Sequence, residues 1–109
     1  MSTVPGDAVF RALAEPNRVA ILRLTRDGPR SVGDIAQHFE ITMQAVSQHL
    51  RVLREAGLIA EQRVGTRRLY SLRPEGLAEI REFLEELWPD RLERLKHLAE
   101  TKARHDDAS

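Results

Sequence analysis

Cysteine is absent from the chain, which removes disulfides, thiolate metal sites, thiol redox switches and cysteine nucleophiles together. Aromatic residues are scarce, with three phenylalanines, one tyrosine and one tryptophan, so the core must be mostly aliphatic. No segment approaches the roughly 18 consecutive apolar residues of a membrane span. The opening MSTVPGDAVF has neither the basic start nor the apolar run of a secretory signal. A soluble cytoplasmic protein with no membrane partner is expected. There is no Gly-rich phosphate loop and no His/Ser/Asp grouping that can be placed in one pocket, so neither an enzyme nor a cofactor is expected. The length, 109 residues, suits one domain with a modest core, taken as residues 1–100, followed by the polar tail TKARHDDAS. No internal repeat is visible.

Net charge is also missing, because 17 basic side chains balance 17 acidic ones. The balance hides an uneven distribution. Residues 1–40 carry five basic and five acidic side chains, residues 41–73 six and two, and residues 74–109 six and ten. A basic surface for phosphates in the central third can therefore coexist with an acidic region facing elsewhere.

The most informative stretch lies in that basic third. In ITMQAVSQHLRVLREA, residues 41–56, Met43, Val46, Leu50 and Leu53 recur at the spacing of an amphipathic helix. The opposite face carries Gln44, Ser47, Gln48, Arg51 and Glu55. The first four are donors and acceptors of the kind that read base edges, Gln with adenine and Arg with guanine. A solvated helix face is the plain alternative, and the neighbouring segments bear on the choice.

Upstream, DAVFRALA is a short helical candidate, and Pro16 opens a second helix that Gly28 and Pro29 end. Ser31 followed by Asp34 resembles a capping arrangement, and Val32, Ile35, Ala36 and Phe39 predict a helix of about two turns. Thr42 can cap the next helix, so two short helices joined by a tight turn form a helix-turn-helix, whose second helix enters the major groove. Downstream, Gly57 fits a helix C-cap. LIAEQRVGTRRLYSL then predicts a β-hairpin turning at Gly65-Thr66. That register sets Arg63 opposite Arg68 with Arg67 adjacent, an arrangement that a polyanion would neutralise; a protected hairpin edge is the alternative. From Pro74, Leu77, Ile80, Leu84, Leu87, Leu92, Leu95 and Leu98 form one long apolar stripe beside Phe83 and Trp88. Pro89 predicts either a kink or two helices meeting at Trp88. The stripe is longer than the back of so small a domain needs, which points to a partner helix and an isologous two-fold dimer.

The runs FRALAEPNRVAILRLT, SVGDIAQHFEITMQAVSQHLRVLREAGLI and RVGTRRLYSL closely resemble the ArsR/SmtB family of bacterial winged-helix transcriptional repressors, over roughly residues 8–88. The resemblance implies a mainly α fold with a β-hairpin wing, in the order ααααββα. It also implies a homodimer built from the first and last helices, with Phe10, Leu84, Leu87, Trp88, Leu92 and Leu95 at the contact, and double-stranded DNA carrying a palindromic operator as partner. Gln44, Ser47, Gln48 and His49 fall on the recognition-helix pattern for base readout, although the spacing of His49 leaves it between core and groove. Thr42, Arg51, Arg63, Arg67 and Arg68 are expected at the DNA backbone or minor groove.

The sensing elements depart from the metal-responsive pattern. SVGDIAQHF lacks the cysteines of such members. In the last helix His97 and Glu100 supply one H-x-x-E pair, while Leu84 and Glu86 stand where further ligands would be needed. No metal site is expected, and the effector, a small molecule or protein if there is one, is not specified. A winged-helix interaction module that does not bind DNA is the alternative function.

Overall fold

The computed structural model describes residues 7–89 and 97–100. Two helices, α1 (Asp7–Leu13) and α2 (Pro16–Arg26), open the chain. Glu15 caps α2, its carboxylate accepting from the Arg18 N–H at 3.1 Å, with Pro16 in the first turn where a missing N–H costs nothing. Arg18 then reaches back: its Nε donates to the Ala12 carbonyl at 2.8 Å and its Nη2 to the Arg11 carbonyl at 3.1 Å. One guanidinium thus satisfies two carbonyls at the end of α1.

A two-residue strand, β1 (Arg30–Ser31), precedes α3 (Val32–Ala36). The strand is an addition to the expected order, since two residues carry no readable periodicity. Ser31 Oγ accepts from the Asp34 N–H at 3.1 Å, the capping contact the sequence predicts. At five residues the helix is shorter than two turns. After the turn, Thr42 Oγ1 accepts from the Ala45 N–H at 3.0 Å and opens α4 (Met43–Glu55).

Val46, Leu50 and Leu53 of α4 are buried, together with Ile21, Ile35, Leu58 and Ile59. Met43, expected in the same stripe, is 57 % exposed instead. It is the first residue of the helix, and on this face the packed layer begins one turn later, at Val46. The other end of α4 closes in a Schellman motif. The Leu58 N–H donates to the Leu53 carbonyl at 2.9 Å and the Gly57 N–H to the Arg54 carbonyl at 3.0 Å, with Gly57 at φ 78°. Leu53 and Leu58, the apolar pair of that motif, are both fully buried.

The wing is β2 (Ile59–Val64) and β3 (Arg67–Leu72), antiparallel, with Arg63 opposite Arg68 and Val64 opposite Arg67. Gly65 at φ 64° takes the first turn position, as the sequence predicts. The strand β1 adds to the far side of β3, Arg30 opposite Tyr70, giving the order β1-β3-β2.

From Pro74 the chain makes a 3₁₀ turn (Pro74–Leu77) before α5 (Ala78–Leu87), so the last α-helix begins four residues later than Pro74 suggests. Gly76 lies so close to the Gly57 backbone that a Cβ there would collide with the Gly57 carbonyl oxygen. The helix ends rather than kinks at the proline: Trp88 is extended at ψ 126°, as expected for a residue before proline. Helical backbone recurs at residues 97–100. Leu92, Leu95 and the tail from residue 101 lie outside the described residues. No helix among the described residues is long and apolar enough to cross a membrane.

Candidate nucleic-acid interface

On α4 the residues opposite Val46, Leu50 and Leu53 face outward. Gln44, Ser47, Gln48 and Arg51 are all exposed, which follows from the 3.6-residue period. Thr42 at the helix start is exposed too, and its hydroxyl oxygen is already accepting the capping bond. Arg51 pairs with Glu55 one turn on, at 3.2 Å.

Between α4 and the wing lies a recess lined by Val32, Ser47, Leu50, Arg51, Arg54, Arg68 and Tyr70. A second recess beside it is lined by Arg54, Arg63, Arg68 and Glu61. The fold therefore brings Ser47 and Arg51 of the helix together with Arg68 of the wing, and sets Arg63 in the neighbouring recess, while Gln44 and Gln48 lie on the same exposed face outside both recesses. Arg67 is turned to α3, 3.6 Å from the Asp34 carboxylate. This pair ties the wing to the first helix of the helix-turn-helix.

Arg54 and Glu61 are the residues that sequence reasoning missed. Arg54 is seven positions beyond Ser47, so the helical period extends the polar stripe to it, a signal that was present. Glu61 is different. It sits in β2 directly opposite Tyr70, and its carboxylate meets Arg54 at 2.6 Å, Arg68 at 3.4 Å and the Tyr70 hydroxyl at 3.4 Å. Burial pushes the Tyr70 hydroxyl pKa above its ordinary value, and the negative charge of Glu61 adds to this against the opposing pull of Arg68 and Arg54.

His49, which its spacing leaves between core and groove, lies on the core side: it is turned inward, with a side chain only 18 % exposed. Its Nδ1 lies 3.4 Å from Arg18 Nη1 and its Nε2 lies 3.8 Å from Glu15. A guanidinium can only donate, so in this contact Nδ1 is the accepting atom. The physical reason is the helical period, which places residue 49 beside the junction of α1 and α2. There it links the recognition helix to the N-terminal helices.

The predicted dimer residues gather elsewhere. Phe10 of α1 meets Phe83 of α5 edge to face, centroids 5.6 Å apart. No residue of α5 is buried, and Leu84, Leu87 and Trp88 are 49, 63 and 37 % exposed. His97 stacks on Trp88 with centroids 5.1 Å apart. Among the described residues no three His, Asp or Glu side chains are grouped so as to hold a metal.

Comparison with known proteins agrees with this architecture. Residues 13–62 match the family described as a helix-turn-helix domain. The HTH-type transcriptional regulator Rv2034 of Mycobacterium tuberculosis is 43 % identical over 82 residues, covering 75 % of this chain and 77 % of the relative. An ArsR-like transcriptional regulator from Rhodococcus is similar in structure at a TM-score of 0.71 and 29 % identity, over 86 % of this chain and 89 % of that one. The homodimeric winged helix-turn-helix DNA-binding domain of a Mycobacterium bovis protein matches at a TM-score of 0.61 and 30 % identity, over 77 % and 82 %. With its capped α3–α4 pair, its arginine-bearing wing and these relatives, the chain belongs to the ArsR/SmtB family of winged helix-turn-helix transcriptional regulators.

Proposed function

We propose that the protein is a homodimeric repressor that binds a palindromic operator in the bacterial cytoplasm and is released by a signal other than a metal ion. The observation that carries DNA binding is the continuity of the exposed Gln44, Ser47, Gln48 stripe with the recess formed by Arg51, Arg54 and Arg68. Gln44, Ser47 and Gln48 read base edges, while Thr42, Arg51, Arg63, Arg67 and Arg68 position the duplex through its phosphates or minor groove.

Dimerisation rests on the exposed Leu84, Leu87 and Trp88 beside the Phe10–Phe83 contact, and on the homodimeric state of the Mycobacterium bovis domain. Two-fold symmetry sets the half-sites about one helical turn, or a multiple of it, apart. Occupying such a site occludes a promoter. The non-metal signal is supported by the absence of cysteine and by Leu84 and Glu86 standing where further ligands would complement His97 and Glu100.

Recovery of bound fragments from the source genome at moderate salt tests the proposal. A shared palindromic site is the expected result, and retrieval of no specific fragment overturns it. Divalent metals added to the complex should leave it intact; release by a metal would refute the non-metal signal alone.

A further inference from the structure

A surface built only to attract phosphates would not place a carboxylate among its cations, yet Glu61 lines the same recess as Arg54, Arg63 and Arg68. Its side chain is only 24 % exposed, and both oxygens are engaged. Oε2 accepts from Arg54 Nη1 at 2.6 Å, the short distance of a charge-assisted bond. Oε1 lies 3.4 Å from Arg68 Nε and accepts from the Tyr70 hydroxyl at 3.4 Å. Arg63, directly opposite Arg68 across the hairpin, makes no ion pair with any described residue.

We propose that Glu61 is a specificity-setting counter-charge. It holds Arg54 and Arg68 in fixed positions and weakens the indiscriminate attraction of the recess for nucleic-acid phosphates. The inference rests on the DNA-binding reading above and adds the residue that tunes it.

Two physical effects act in opposite directions. A carboxylate beside a guanidinium offsets part of its positive field, so any phosphate approaching Arg54 or Arg68 gains less. Non-specific binding is almost entirely phosphate neutralisation and bears the whole of that loss. Each guanidinium has five N–H donors in a rigid fork. Those left over by Glu61 are held at set positions, so a duplex whose phosphates fall there binds without ordering two long side chains afresh. A correctly registered operator recovers through this preorganisation what a random duplex cannot. Arg54 is thereby assigned to the interface, as a phosphate ligand positioned by Glu61.

Replacing the carboxylate by its neutral isostere, Glu61→Gln, separates the two effects. Binding is read by fluorescence anisotropy on operator and scrambled duplexes between about 50 and about 200 mM salt, a range over which one phosphate contact changes affinity by roughly threefold. Expected are a rise in scrambled-duplex affinity of roughly that size, a steepening of the salt slope by up to about 0.9, and a smaller gain on the operator, so that the affinity ratio falls. Adding Arg54→Gln to the same variant should reverse most of the gain. An unchanged salt slope, or equal gains on both duplexes, overturns the proposal. If Glu61→Gln does not fold, the comparison is made in the otherwise unaltered chain. Arg63→Gln should flatten the salt slope by about 0.9 and Arg54→Gln by clearly less; equal flattening overturns the proposal. Absence of any salt-dependent DNA binding by the unaltered protein would instead overturn the DNA-binding reading, and the role of Glu61 with it.

Discussion

Tyr70 is the single tyrosine of the chain, so its ionisation can be followed alone by ultraviolet difference spectroscopy. Its folded-state pKa lies above the ordinary 10.0, and the native state therefore holds this proton more tightly than the unfolded chain. The linked stability is fully present below pH 10.0 and is lost as pH rises through the folded-state value. Urea unfolding between pH 9 and pH 11 should show this loss, and Tyr70→Phe should remove the tyrosine's share of it. Base reading gives a second residue-scale prediction. Gln48→Ala should cost about 1–3 kcal/mol at the operator and relax preference at one base pair, measured on a panel of operator variants. The exposed polar face of α4 was legible because it depends only on the period of a helix. The same period placed His49 between core and groove; which of the two it takes was not legible, since that depends on Arg18 reaching from another helix. Nor was the Glu61 cluster, which requires the register of β2 on β3 to bring Tyr70 and Arg68 beside it.

At the scale of elements, caps and turns carried the legibility. Ser31, Thr42, Gly57 and Gly65 each occupy the position that their chemistry predicts. Gly57→Ala forces a side chain into the left-handed region and should destabilise the fold by about 1–2 kcal/mol, read from the midpoint of urea unfolding. Gly76→Ala should cost more than that, because a Cβ there meets the backbone of Gly57 and Leu58 rather than a movable side chain. The elements missed are those with little local information. The strand β1 is two residues long and exists because β3 offers it a partner. The 3₁₀ turn at Pro74–Leu77 has the composition of a helix start, and the approach of its Gly76 to the Gly57 backbone is a long-range contact that composition does not show.

For the whole molecule, the question is what covers α5. In α5 no residue is fully buried; Ile80 packs on the core and Phe83 on Phe10, while Leu84, Leu87 and Trp88 stay exposed, and in the proposed dimer a second copy covers them. Leu87→Glu should leave the wing and the helix-turn-helix folded by circular dichroism, shift sedimentation from dimer to monomer, and abolish binding to a two-half-site operator. A monomeric unaltered protein would refute this. The uneven charge suits such an assembly, with four excess positive charges in residues 41–73 and four excess negative ones in residues 74–109. The acidic part tends to keep nucleic acid away from the α5 end.

The contact between Gly57 and Gly76 makes the recognition helix a lever arm. Its tail is fixed at the joint where α5 begins, and its 13 residues extend about 20 Å from there to Thr42. Turning that arm by about 10° at the joint carries its tip by about 3 Å, close to the rise between successive bases. A swing of that size would carry Gln44 across one base step, so the burial of Val46 and Leu50 along the arm, and not the joint alone, is what holds the exposed face of the helix in register.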